Sequence, residues 1–185
     1  YETEIINGTN ITITNTNTPE TTEVEGEKVW EDNKDQDGKR PDSITVRLFD
    51  GETEVAAQTV TAENNWKFSF TNLPKYKNGG EEIVYTVRED AVSEYTTEIT
   101  GTAKAGFTVT NTHTPDQTEY KVKKVWVDAN NQDGIRPETI TVQLYANGEA
   151  VEGKSAVLNT ENAWTYTWTE LDKMNGGKEI VYTAQ

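Results

Sequence analysis

The stretch Val24-Glu25-Gly26-Glu27-Lys28-Val29-Trp30 has the period-two alternation of a half-buried β-strand. Its last three residues return 96 positions later as Lys124-Val125-Trp126, and the same spacing joins Asp37-Gly38 to Asp133-Gly134. A fixed spacing of this length indicates tandem repeats, each the size of one small β-sandwich. The sequence therefore predicts that the chain is part of a repeat array.

Further segments of the first repeat alternate in the same way, at residues 44–48, 66–70, 83–87 and 107–110. Turn signals rich in glycine, asparagine and aspartate lie between them, and no segment has the apolar stripe of an amphipathic helix. Short strands at this spacing predict an all-β chain of tandem antiparallel β-sandwiches, each of immunoglobulin-like size.

The composition excludes several classes of partner. A formal net charge of -15 disfavours nucleic acid and anionic membrane surfaces, because both carry negative charge themselves. No apolar run approaches the ~18 residues that a transmembrane helix needs. The chain has no cysteine and a single histidine, His113, which excludes disulfides, thiolate chemistry, a catalytic triad and a histidine-based metal centre.

Three polar residues of the first repeat fall on the inward side of their strands. Lys28 shares one face of its strand with Trp30, whose size and apolarity place that face inside. The same alternation selects Glu89 and Asn111, each two positions after an apolar residue of its own strand. We therefore expect three polar groups to point into one apolar core, where a lysine is costly to bury.

Two interpretations of these residues remain open at this point. In the first, Lys28 and Glu89 form a buried salt bridge and Asn111 bonds to the backbone, although each buried ion carries a desolvation cost. In the second, a desolvated Lys28 is a neutral nucleophile and a protonated Glu89 polarises the side-chain amide of Asn111. The amide carbon is then open to attack.

The motifs also carry a family resemblance. The segments EKVWEDN at 27–33, DGKRP at 37–41, EIVYTVRE at 82–89 and FTVTNT at 107–112 resemble the B-type repeat of collagen-adhesin surface proteins from Gram-positive bacteria. The resemblance implies a stalk domain of inverse immunoglobulin-like, or prealbumin-like, topology with a self-formed isopeptide bond. Carried over by position, that bond joins Lys28 to Asn111, and Glu89 is the acid that promotes it.

The repeat spacing divides the chain into three parts. Residues 20–115 form a complete repeat, and residues 116–185 form a second repeat that lacks its last strands. Residues 1–19 match the closing strands of a preceding or permuted repeat. Lys124 and Asn15 are the lysine and the asparagine of these two incomplete parts. They form a candidate second isopeptide site whose promoting acid the sequence lacks.

Residues 33–38 mimic the start of a calcium-binding loop. The twelfth position of that loop is Ile44 rather than an acid, and the second copy has Ala129 at the first ligand position. We therefore interpret the segment as a turn rich in asparagine and aspartate. The sequence predicts no metal site and no cofactor.

Together these features predict a structural module rather than an enzyme: a rigid spacer that holds a ligand-binding head away from the bacterial cell wall. The expected location is extracellular and anchored to the wall, and the expected partners are neighbouring repeats. Residues 1–19 can also add a strand to the open sheet edge of another copy, which predicts head-to-tail contact. The alternative is that the repeats themselves bind a host extracellular-matrix protein.

Overall fold

The computed structural model describes residues 1–6, 8 and 10–185, and its regular structure is almost entirely β-strand. The all-β class predicted from the sequence is confirmed. The chain divides into two compact units, one of Tyr1–Glu31 with Pro41–Thr112 and one of Asp32–Arg40 with His113–Gln185. None of the described residues belongs to a helix that is long and apolar enough to span a membrane.

The first unit begins with an exposed antiparallel hairpin of β1 (Glu2–Ile6) and β2 (Thr12–Thr16). The sandwich follows, with short 3-10 turns at Ala62–Asn64 and Asn78–Gly80. Its strands are β3 (Thr21–Glu31), β4 (Ser43–Asp50), β5 (Thr53–Thr61), β6 (Lys67–Pro74), β7 (Tyr76–Lys77), β8 (Glu81–Glu82), β9 (Tyr85–Glu89), β10 (Thr96–Thr102) and β11 (Gly106–Thr112).

Two sheets form this sandwich. One has the strand order β10-β11-β3-β6 and the other has the order β5-β4-β9. Neighbouring strands are antiparallel, as expected, except that β3 and β11 run parallel with Val109 opposite Lys28. Side-chain alternation cannot reveal this pair, because it indicates which face is buried but not which strand lies alongside. The pair places the first and last strands of the sandwich side by side.

The core of the first unit lies between the two sheets. Gly26 is required where β3 crosses Phe68, because a Cβ at that position would overlap the Phe68 ring and the Phe107 carbonyl oxygen. Each fully buried apolar side chain stabilises the fold by roughly 1.5–3 kcal/mol. The core residues are Val24, Phe68, Phe70, Leu73, Phe107 and Val109 from one sheet, and Ile44, Val46, Leu48, Val60, Tyr85 and Val87 from the other.

The second unit has its own small core of Leu144, Ala156, Trp168 and Leu171. In its sheets β12 pairs with β15, and β13 pairs with both β14 and β18. Its strands are β12 (Gln117–Lys123), β13 (Ile140–Ala146), β14 (Glu149–Leu158), β15 (Thr165–Asp172), β16 (Met174–Asn175), β17 (Lys178–Glu179) and β18 (Tyr182–Ala184).

The first strand of the second unit is shorter than the sequence pattern predicts. β12 ends at Lys123, whereas the alternation continues through Trp126. In the first unit the matching residues pair with β11. The Lys124 amide still donates a hydrogen bond of 2.8 Å to the Trp164 carbonyl oxygen. In the part of the chain that the structure describes, however, β15 is the only strand beside β12, whereas β3 has β6 on one side and β11 on the other.

A loop of the same design follows the first strand of each repeat. Arg40 donates two hydrogen bonds, of 2.9 and 2.6 Å, to the carboxylate of Asp32. Arg136 holds Asp128 in the same way, at 2.8 and 2.5 Å. The three residues after each of these aspartates have positive φ, so both loops adopt the same tight path. In each loop, the two hydrogen bonds between one arginine and one aspartate hold the backbone in this conformation.

Candidate functional site

Lys28 is a buried lysine of the first unit. Its side chain is 0% exposed and lies on the same face of β3 as the buried Val24. The amine donates hydrogen bonds to the carbonyl oxygens of Val29 at 3.0 Å and Val109 at 3.3 Å. Its Nζ lies 4.2 Å from the centre of the Trp30 ring. Burial of this kind disfavours the charged form of an amine.

Glu89, the last residue of β9, lies next to this amine. Its side chain is also 0% exposed, and its Oε1 is 3.6 Å from Lys28 Nζ. Oε1 has no hydrogen-bond partner among the described residues, whereas Oε2 lies 2.8 Å from the hydroxyl oxygen of Thr97. The carboxyl group is therefore positioned between an amine and a hydroxyl.

Asn111 is fully buried on β11, the strand beside that of Lys28. In the parallel ladder Val109 is opposite Lys28 and Asn111 is opposite Trp30, so the lysine and the asparagine are two positions apart on one face. Asn111 Oδ1 accepts a hydrogen bond of 2.8 Å from Thr97. Its Nδ2 is buried and has no acceptor within the described part of the chain.

Lys28, Glu89 and Asn111 thus lie in one buried cluster, together with the hydroxyl of Thr97. Sequence reasoning missed Thr97 because it is an exposed residue of the edge strand β10, and alternation selects only inward positions. The signal that could have found it is cross-strand: Thr97 is paired with Asn111 in the ladder between β10 and β11.

The candidate second site has different surroundings. Lys124 is half-buried beyond the end of β12, and its Nζ lies 4.6 Å from the centre of the Trp126 ring, as in the first repeat. Asn15 is exposed on β2, where its Oδ1 accepts a hydrogen bond of 2.9 Å from Thr3. A bond between Lys124 and Asn15 stays a prediction.

The acidic loop at residues 33–38 uses Asp37 for an internal contact. Asp37 Oδ2 accepts a hydrogen bond of 2.7 Å from the Asp116 amide and lies 2.9 Å from Nε2 of His113. Burial alone would raise the pKa of Asp37, but these two contacts and the charge of Lys39 outweigh burial and hold that pKa below its ordinary value. Among the residues that the structure describes, no group of three or more histidine, cysteine, aspartate or glutamate side chains could hold a metal ion.

The family described as Cna protein B-type domain matches residues 24–112 and 120–185. The chain belongs to this family. It is 49% identical over 176 residues to a collagen adhesin of Staphylococcus aureus. This alignment covers 95% of this chain and 14% of the adhesin. The crystal structure of two B repeat units, B1B2, of the S. aureus collagen binding protein is 48% identical, with a TM-score of 0.57. That match covers 100% of this chain and 48% of the crystallised one.

The two family matches therefore correspond to the two repeats seen in the sequence. Lys28, Glu89 and Asn111 all lie inside the first match, and Lys124 lies inside the second. In the S. aureus relative, too, B repeat units follow one another in a single protein. The chain spans 14% of the length of that adhesin.

Proposed function

We propose that the B-type repeats of this chain are structural spacers of a surface adhesin, strengthened by an isopeptide bond between Lys28 and Asn111. The observation that carries the proposal is the buried cluster of an amine, a carboxyl group and a carboxamide. Within it, Glu89 Oε1 and Asn111 Nδ2 lack hydrogen-bond partners among the described residues. A core that served stability alone would be better filled by apolar residues, so the cluster favours a reaction among its members.

In the proposed reaction the neutral amine of Lys28 attacks Cγ of Asn111. A new C–N bond forms, the bond from Cγ to Nδ2 breaks, and ammonia leaves. Glu89 takes a proton from the attacking amine and delivers one to the leaving nitrogen, so its own protonation is restored. The chain reacts once and with itself, which distinguishes the repeat from an enzyme that acts on an external substrate.

The strand arrangement supports a mechanical role for this bond. β3 and β11 are the first and last strands of the first sandwich, and they run parallel side by side. Tension on the two ends of the repeat enters one of these strands and leaves through the other. A covalent bond between Lys28 and Asn111 would transmit that tension directly from β3 to β11, so that residues 29–110 would not be stretched. The hydrogen bonds and core of the sandwich would then bear little load.

We place this spacer outside the cell, in a protein anchored to the bacterial cell wall. The description of the S. aureus relative as a collagen adhesin supports this placement. Neighbouring repeats are then its immediate partners, with residues 20–115 as a complete repeat and residues 116–185 as the start of the next. Residues 1–19 correspond in this scheme to closing strands of another repeat.

We also propose that residues 1–19 contact a second copy of the chain. The hairpin of β1 and β2 carries four isoleucines that are between 56% and 69% exposed: Ile5, Ile6, Ile11 and Ile13. Such a strand can add to an unpaired sheet edge of another copy. We expect the sedimentation coefficient to rise with concentration and Ile13→Asp to abolish the rise. A coefficient that is constant with concentration in the wild-type chain would contradict this contact.

Intact mass tests the isopeptide proposal. The folded wild-type chain should weigh one ammonia less than its sequence, whereas Lys28→Ala and Asn111→Ala should each have their full sequence mass. Lys67→Ala is the matched control, because Lys67 is an exposed lysine on β6. This variant should still lose one ammonia. A wild-type chain of full mass would leave only the salt bridge between Lys28 and Glu89.

A further inference from the structure

Thr97 lies between two groups of the proposed reaction. Its Oγ1 is 2.8 Å from Asn111 Oδ1 and 2.8 Å from Glu89 Oε2. A threonine hydroxyl carries one hydrogen, so it can donate to only one of these oxygens. When Thr97 donates to the amide oxygen, the hydrogen in its other contact must come from Glu89. The contact between Glu89 and Thr97 is then a donation from the protonated carboxyl group.

We propose that Thr97 is a catalytic hydrogen-bond donor, which links the proton of Glu89 to the side-chain amide oxygen of Asn111. This inference rests on the isopeptide reaction proposed above. As Lys28 attacks Cγ, negative charge develops on Oδ1, where the Thr97 hydroxyl already points. A donor that is in place before charge develops stabilises the transition state. Hydrogen bonds in a chain also polarise one another, which strengthens the donation from Thr97.

The arrangement gives the two oxygens of Glu89 different tasks. Oε1, 3.6 Å from Lys28 Nζ, accepts the proton that the amine releases. Oε2 passes its own proton to Thr97, which passes its hydroxyl hydrogen to Oδ1. When the intermediate collapses, the proton on Oδ1 returns through Thr97 to Oε2, and the proton on Oε1 leaves with Nδ2 as ammonia. Glu89 and Thr97 end in their starting states, and all atoms balance.

The hairpin of β1 and β2 provides a second, separate example of the same contact. Thr3 is paired with Asn15 in that ladder, as Thr97 is paired with Asn111. Thr3 Oγ1 donates to Asn15 Oδ1 at 2.9 Å, although both residues are exposed. Strand register alone is therefore sufficient to aim the threonine hydroxyl at the amide oxygen. The donor to Asn111 would be in position as soon as β10 and β11 pair.

The test measures the rate of bond formation in the full chain. Wild type, Thr97→Val and Thr97→Ser are recovered unfolded from inclusion bodies and refolded by dilution, and the loss of ammonia is followed by intact mass. Thr97→Val should slow the reaction about tenfold. This is less than the hundredfold cost of losing a buried oxyanion donor, because water can reach an edge strand. Thr97→Ser keeps the hydroxyl and should react within a few-fold of wild type.

Variants that cannot form the bond show whether the Thr97 substitution affects folding rather than the reaction. Lys28→Ala and Lys28→Ala/Thr97→Val cannot react, so equal circular dichroism and refolding rates for these two would show that valine leaves folding intact. Equal rates of ammonia loss in wild type and Thr97→Val would overturn the role of Thr97 and leave the isopeptide proposal standing. A serine variant as slow as the valine variant would also overturn it. A wild-type chain that never loses ammonia would overturn both proposals.

Discussion

The double variant Lys28→Met/Glu89→Gln distinguishes a covalent bond from a buried ion pair by the size of its effect on stability. Methionine has nearly the length of lysine without the amine, and glutamine keeps a polar group beside Thr97. Both original side chains are 0% exposed, so neither substitution alters the surface. If the two residues form only a salt bridge, their joint replacement should change the free energy of unfolding little, because the lost attraction is offset by the lost cost of desolvating two charges.

A covalent bond predicts a large loss of stability. A link between Lys28 and Asn111 would close a loop of about 80 residues, and opening such a loop lowers the free energy of unfolding by about 4.5 kcal/mol in the chain-entropy treatment of disulfides. Since each ~1.4 kcal/mol corresponds to a factor of ten, amide protection in the first unit should fall about a thousandfold.

Hydrogen exchange followed by mass spectrometry measures this difference. Peptides from β4 and β6 report on the first unit without containing either end of the proposed bond, and peptides from β13 serve as an internal reference in the second unit. Glu27→Gln on β3 is the matched control, because Glu27 is exposed. Exchange in β4 and β6 that is unchanged or slower in the double variant would refute the covalent interpretation.

Three other outcomes are expected. Glu89→Gln should fold but lose ammonia slowly or not at all on refolding, because it cannot supply a carboxylic proton, and full crosslinking would identify a different acid. Gly26→Ala should lower the urea midpoint by the equivalent of about 1–3 kcal/mol, because its Cβ would overlap the Phe68 ring, and an unchanged midpoint would contradict that overlap. The depressed pKa of Asp37 means that its stabilisation is present at neutral pH and is lost as the pH falls below about 4. Asp37→Asn should therefore lower the melting temperature at pH 7 and have a shrinking effect as the pH falls below about 4, and a difference that stays constant below that pH would contradict this.

Alternation along single strands was sufficient to predict that three polar side chains are buried. A strand has a period of two, so the inward positions of Lys28, Glu89 and Asn111 follow from their apolar neighbours alone. The same reasoning gave the all-β class, because every repeat unit is built from such strands. It could not reveal that β3 and β11 lie side by side, since adjacency depends on the packing of the whole sandwich.

The features that the sequence did not reveal depend on cross-strand partners. Thr97 contacts Asn111 through the register of β10 and β11, and alternation does not select Thr97 because it is exposed. The end of β12 at Lys123 also depends on its neighbours, because β12 has one neighbouring strand among the described residues whereas β3 has two. The alternation within one strand predicts which side chains point inward, whereas the residues on the neighbouring strand determine which groups those side chains contact.

A tryptic peptide map of the folded wild-type chain tests the bond between Lys28 and Asn111 most directly. The digest should contain a branched peptide that includes both residues and weighs one ammonia less than its two linear parts. Fragment ions should locate the branch at the Lys28 side chain and the Asn111 side chain, and cleavage after Lys28 should be absent. Linear peptides that end at Lys28, together with an unmodified peptide containing Asn111, would contradict the isopeptide bond.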